Sequence, residues 1–234
     1  MLRSLLLSLV LLLPMAANAQ TVVSLDIGGR EVKVEVPKDY VRRSEAAPEL
    51  EEAVQKMLPA TNLLIDTLVA ADDIPRQKIG LTTKSTTYQI QVMRSLQRVD
   101  ISADDWKIGR PIMLKEMGVM DLSGVDEVQK NIDASLERKT DGAVKVQIGD
   151  IGKLLPYGND ADTIRFTMIV PVTIEVNGAK IERRAMVGSL IAVVSKRLVM
   201  LYAQRMIEDD EAAALQGVRT DLDAFYARVK ALNP

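Results

Sequence analysis

Apolar and polar residues alternate most regularly between Thr163 and Val176. Every even position there is apolar: Ile164, Phe166, Met168, Val170, Val172, Ile174 and Val176. Successive side chains of a strand point to opposite faces, so a period of two predicts a β-strand with one apolar face. Asn177-Gly178 follows, a pair suited to a two-residue type I′ turn, in which both positions need positive φ. A returning strand is predicted over 180–194 and a further one over 196–202. The stretch Val187 to Val194 is almost continuously apolar, which predicts a strand covered on both faces.

The same alternation predicts a hairpin over 22–36. Val23, Leu25 and Ile27 lead to Gly28-Gly29, and Val32, Val34 and Val36 return between Glu31, Lys33 and Glu35. Pro37 ends that strand because it has no N–H to donate. Period 3.6 appears over 48–58, where Pro48 suits a first turn and Leu50, Val54, Met57 and Leu58 share a face. Strands are expected at 63–70 and 87–93, separated by a polar loop over 72–86 that contains Pro75 and Gly80. Ser102 and Asp105 form a helix-start pair, with Trp106 in the first turn. Gly109-Arg110-Pro111 is expected to break that helix and begin another at Pro111. Ser123 opens a helix with the stripe Val125, Val128, Ile132 and Leu136. A long helix over 209–232 carries Leu215, Val218, Leu222, Phe225, Val229 and Leu232. A sheet-packed helix and a short coiled-coil seam share such a stripe, and core packing is the expectation. The order predicts one α+β domain over 20–234, an antiparallel β-sheet flanked by helices as an α-β-α sandwich.

The first residues follow a different logic. Arg3 precedes an apolar run from Leu5 to Leu13, Pro14 interrupts it, and Ala17-Asn18-Ala19 offers the small residues of a peptidase site. This predicts a signal peptide over 1–19, cleaved after Ala19, and hence export to a Gram-negative periplasm. The run is too short for a membrane-spanning helix, which needs about 20 apolar residues. No stable membrane anchor is therefore expected after cleavage.

Composition then removes chemistries. The chain has no cysteine, which excludes disulfides, thiol catalysis and thiolate metal sites. It has no histidine, which excludes Ser-His-Asp and Cys-His mechanisms and histidine-ligated metals. Net charge is −2 with both signs well mixed, so no electrostatic footprint for nucleic acid is present. No cofactor is implied.

Four groupings invite a functional reading. Tyr157, Asn159, Asp160 and Asp162 place oxygen side chains in one loop, a candidate binding site for a small ligand or calcium, although an EF-hand's central glycine and closing glutamate are missing and solvated turn chemistry explains the cluster as well. Met113, Met117 and Met120 fall on one helical face, as copper thioethers do, but methionine used as core filler is the expected reading. The pairs Asp72/Asp73, Asp104/Asp105 and Asp209/Asp210 could serve a carboxylate hydrolase only if two acids met in a cleft with one pKa raised. Lys84-Ser85 lacks the companion motif of a Ser-Lys hydrolase.

The arrangement Val36-Pro37-Lys38-Asp39-Tyr40, a helical middle with Trp106, the run 187–194 leading to Leu198-Val199-Met200-Leu201-Tyr202, and a closing helix resembles the PsbP-like fold. That group contains the oxygen-evolving accessory subunits and their Ran-binding nuclear relatives. The resemblance spans the mature chain and implies a non-enzymatic accessory role, docking onto a larger complex. It carries over no functional residue, and the histidines that some relatives use are absent. The expectation is thus an exported, periplasmic binding or accessory module with an envelope protein partner. The alternatives are a histidine-independent hydrolase using carboxylates and a small-ligand or calcium carrier.

Overall fold

The computed structural model describes residues 21–78, 83–118, 129–130, 133, 144–149, 151, 154–158, 160–176 and 178–234. A hairpin opens the chain, β1 (Val22–Ile27) and β2 (Arg30–Glu35), paired antiparallel in the register Ile27↔Arg30. Its turn residues Gly28 and Gly29 have φ of 57° and 84°, a region that glycine enters without a Cβ penalty. The other strands are β3 (Tyr40–Arg42), β4 (Asn62–Ala70), β5 (Thr87–Met93), β6 (Val144–Ile148), β7 (Leu155–Pro156), β8 (Thr163–Val176), β9 (Ala179–Val194) and β10 (Arg197–Ile207). They form one eight-stranded sheet in the order β3-β4-β5-β10-β9-β8-β6, with β7 alongside β8. Its pairings are antiparallel. The helices are α1 (Arg43–Ala46), α2 (Pro48–Met57), α3 (Ile74–Lys78), α4 (Ala103–Gly118) and α5 (Glu211–Leu232). The protein is therefore α+β, a large antiparallel sheet flanked by helices. Among the described residues, no helix is long and apolar enough to cross a membrane.

The pleat divides the sheet into two buried faces. Ile90, Leu201 and Leu190 lie in one cross-strand row and pack under α5 and the hairpin, in a core with Ile27, Val34, Leu222 and Phe225. Met200, Ile191 and Ile164 lie in the next row on the opposite face, under Trp106 of α4. The second half of β9, from Met186 on, is buried on both faces, as the nearly continuous apolar run 187–194 predicts. Gly188 and Ala203 are cross-strand neighbours beneath α5, and their small side chains let the helix approach closely. A Cβ on Gly188 would stand 2.6 Å from Val218 Cγ1 and 3.2 Å from Leu222 Cδ2. The C-terminal stripe is thus sheet-facing core, with Val218, Leu222, Phe225 and Val229 fully buried.

The structure departs from the sequence expectations at α4, over 72–86, at β3 and α1, at the unexpected strands β6 and β7, and at β10, which starts at Arg197 and continues to Ile207. Helix α4 runs unbroken through Gly109-Arg110-Pro111. Pro111 removes one amide donor, but contacts on both sides hold the segment helical. Trp106 Nε1 donates to the Ala161 carbonyl at 3.1 Å, and Arg110 donates to the carbonyls of Thr163 and Asp160 at 2.9 and 2.8 Å. Beyond the proline, Met113, Leu114 and Met117 pack beside Trp106. The polar stretch 72–86 is partly helical, with a 3-10 turn at Ala71–Asp73 leading into α3. Asp73, buried there, accepts the amides of Lys84 and Ser85 and so stands in for a backbone partner. Strand β3 and helix α1 carry too few apolar residues to show a period, and α1 is anchored by buried Arg43, which donates to Glu51 at 2.7 Å. The leader over 1–19, Met120, Asn159 and Asn177 lie outside the described residues, as does most of the helix expected from Ser123, of which 129–130 and 133 are described and helical.

Candidate functional site

Four chain segments converge at the end of the sheet nearest the hairpin turn. They are the start of β2, the first turn of α4, the β9–β10 turn and the end of α5. Between them lies an open cleft of about 780 Å³. Ile101, Trp106, Val193 and Tyr226 give it an apolar wall, while Arg30, Lys196 and Lys230 bring cations to it.

Local chemistry positions each part. Ser102 and Asp105 form a reciprocal cap at the start of α4. The Asp105 amide donates to Ser102 Oγ at 3.1 Å, and the Ser102 hydroxyl and then the Ser102 amide donate to the Asp105 carboxylate at 2.6 and 2.9 Å, which holds that carboxyl below its ordinary range. Arg197 is 4% exposed and ties the hairpin to the sheet. It donates to the Ile27 and Gly28 carbonyls at 3.0 and 2.9 Å and pairs with Asp100. Arg30 pairs with the same carboxylate. Hydrogen bonds from Arg30 and then Arg197 hold the Asp100 carboxyl down at about 2. At the far side, the Asn233 side chain accepts the Lys33 amide and donates to the Lys33 carbonyl, so it caps α5 and β2 together.

The β9–β10 turn is the unusual element. Val194 pairs with Arg197, leaving the two-residue turn Ser195-Lys196. Both residues have positive φ, 47° and 63°. Among the described residues, glycine holds such positions in the β1–β2 turn, at Gly28 and Gly29, and ahead of β9, at Gly178. A non-glycine residue there costs roughly 1–2 kcal/mol. The strain is held from both sides. Ser195 Oγ donates to Asn233 Oδ1 at 3.2 Å, and the Lys196 carbonyl accepts the Ile101 amide at 2.9 Å. Of the cations at the cleft, Arg30 is paired with Asp100, and Lys230 is paired with Asp162 at 2.7 Å. Lys196 has no ion-pair partner among the described residues.

The loop singled out in the sequence lies beside this cleft, and only part of it faces in. Asp162 lines the cleft through its ion pair with Lys230, whose own pKa that carboxylate raises. Asp160 turns away. Its carboxylate accepts from Thr163 Oγ1 and the Asp162 amide and pairs with Arg165. Burial works against its charge, yet the Thr163 hydroxyl and the Arg165 guanidinium outweigh this and lower its pKa. Tyr157 lies under Arg219, whose guanidinium carbon is 4.7 Å from the ring centre, and burial raises its phenol pKa. Asn159 lies outside the described residues. Asp160 and Asp162 each face a cation, and among the described residues no group of three acids gathers to hold a metal.

Two of the three methionines and one member of each acidic pair have structural roles. Met113 and Met117 pack against the Trp106 cluster. Asp105 caps α4, Asp210 accepts the Ala213 amide as the cap of α5, and Asp73 holds its loop. The carboxyl groups whose pKa moves, Asp100, Asp105 and Asp160, all move down. A carboxylate acid catalyst needs the opposite shift. Sequence reasoning did not assemble Arg30, Ser195, Lys196, Tyr226 and Lys230 into a site. The one local signal was Ser195, the single residue left between two strongly apolar strands, with no glycine to make the turn.

No family model matches the chain, and no curated protein matches it. Among solved structures, it is similar to the Saccharomyces cerevisiae Ran-binding protein Mog1p, with 12% identity and a TM-score of 0.36 over 92% of this chain and 100% of that one. A point mutant of the protein Mog1 gives 12% identity and a TM-score of 0.36 over 89% of this chain and 94% of that one. Similarity at this level carries no residue correspondence and no functional argument.

Proposed function

We propose that this chain is an exported, non-enzymatic accessory module of the Gram-negative periplasm, and that it docks a protein partner of a larger envelope complex at the cleft beside Ser195-Lys196. The observation that carries the reading is the strained, glycine-free turn, which presents to an open cleft with an apolar wall an ammonium that has no ion-pair partner among the described residues. Backbone strain of this kind persists where the surroundings over-determine it, and such places cluster at functional sites. Export is supported by the leader over 1–19 and by a body without cysteine. A surface role is supported by Asp105 and Asp210, which serve as helix caps, and by Asp100, Asp160 and Asp162, which serve as ion-pair partners. An α-β-α sandwich of the PsbP-like kind is the finer fold assignment that goes with this reading.

The test has two parts. N-terminal sequencing of the protein from a periplasmic extract should begin at Gln20. A photo-crosslinking residue at Lys196 should give one discrete adduct in intact cells, and the same probe at Ile181, on the distant end of β9, should not. An intact precursor in the cytosol, or identical adducts at both positions, refutes the proposal. The cleft volume also falls in the range of small-molecule sites. A carrier role would appear in native mass spectrometry as a bound small molecule that is lost in Tyr226→Ala.

A further inference from the structure

Helix α4 has two apolar sides, and the sheet covers only one. Trp106, Met113 and Met117 pack inward, and Arg110 reaches inward to two carbonyls. At 3.6 residues per turn, Asp104, Ile108, Pro111, Ile112 and Lys115 fall within about a 100° arc on the opposite side. Ile108 is 68% exposed and Ile112 58%, the two most exposed of the large apolar side chains described. A helix with apolar residues on both sides is normally buried on both.

The charges at the ends of this stripe identify what covers it. Asp104 stands at the N-terminal end and Lys115 at the C-terminal end, about 16 Å apart along the axis. Neither has an ion-pair partner among the described residues. An acid, an apolar middle and a base in this order are self-complementary when the helix meets itself antiparallel. With the twofold axis between Ile108 and Pro111, Asp104 of one copy meets Lys115 of the other at both ends, and the isoleucines interlock at the centre. A twofold contact requires such a patch, in which residue i meets j and j meets i. Parallel stacking would instead bring like charges together.

We infer that the outer stripe of α4 is a homodimer interface and that its occupant is a second copy of this chain. One helix pair lies at the small end of stable interfaces, so the dimer is concentration-dependent. The inference is independent of the docking role, because the stripe and the cleft use different sides of α4.

Sedimentation equilibrium of the purified soluble protein tests it. The wild type should show a reversible monomer–dimer equilibrium. Ile112→Asp should abolish the dimer while circular dichroism and the melting temperature stay as in wild type, since the site is exposed. Asp104→Lys and Lys115→Asp should each raise the dissociation constant about tenfold. The double reversal Asp104→Lys/Lys115→Asp should restore it, because the two ends exchange roles. A wild type that stays monomeric at about 100 µM overturns the inference. So does a double variant no tighter than the singles.

Discussion

Replacing Gly188 with alanine isolates the packing of α5 on the sheet. Gly188 has no left-handed φ, so the substitution tests space and not backbone conformation. The new methyl would lie 2.6 Å from Val218 Cγ1 and 3.2 Å from Leu222 Cδ2. Both side chains are fully buried, so neither can swing into solvent. Overpacking of this kind costs about 1–3 kcal/mol. Alanine recovers about 0.5–1 kcal/mol of the entropy glycine loses on folding. The net expectation is destabilisation of about 1–2 kcal/mol, or about 3–6 °C in Tm for a domain of this size. Gly109 is the control. It lies in α4 with no atom within 4 Å of a built Cβ, so Gly109→Ala should stabilise by about 0.5–1 kcal/mol. Urea unfolding followed by circular dichroism reads both. Val218→Ala should couple favourably to Gly188→Ala by about 1 kcal/mol, because it removes the atom that the new methyl meets. A Gly188→Ala variant as stable as wild type, with no coupling to Val218, would refute the close-packing account.

Arg197→Met should destabilise by about 3 kcal/mol, because it leaves the Ile27 and Gly28 carbonyls without their buried donor; hydrogen exchange should rise first in the hairpin, and protection unchanged in 22–35 would contradict this role. Asp100 has a folded pKa of about 2, below its unfolded value of about 3.9, so its contribution is complete above pH 4 and is lost as the pH falls toward 2. Asp100→Asn should therefore flatten the pH dependence of the urea midpoint in that window, and parallel curves for variant and wild type would count against the clasp. Lys196→Gly should stabilise by about 0.5–1 kcal/mol by relieving the left-handed strain, while weakening partner crosslinking at the cleft; a loss of stability would show that the turn is unstrained.

The elements written in strict periods were legible. Strand β8 spans the residues that its alternation marks, and Val176↔Ala179 closes the two-residue turn expected there. Ser102 and Asp105 announced the start of α4 because a cap is a local contact. Pro111 misled because the groups that keep α4 straight, the carbonyls of Asp160, Ala161 and Thr163, lie some 50 residues away. The acidic loop was visible as oxygen chemistry, but Arg165 on β8 and Lys230 on α5 decide what those oxygens do. The cleft was invisible for the same reason. Arg30, Trp106, Lys196 and Lys230 are spread over two hundred residues and meet only when the hairpin, α4 and α5 close on one end of the sheet.

The two surfaces of α4 bear on each other in a way that separates them by experiment. Its inward side brings Trp106 to the cleft, while Asp104, Ile108, Ile112 and Lys115 point outward. A dimer built on the outward side therefore leaves both clefts open and offers a partner two docking points. On a surface carrying many partner copies, the second engagement is intramolecular and slows dissociation without any new contact. Ile112→Asp should then speed dissociation from a dense partner surface and leave the one-to-one affinity in solution unchanged. Lys196→Gly should weaken both. A variant at Ile112 that weakens one-to-one binding as strongly as Lys196→Gly would mean that the isoleucine stripe contacts the partner, and the division of labour between the two sides of the helix would fail.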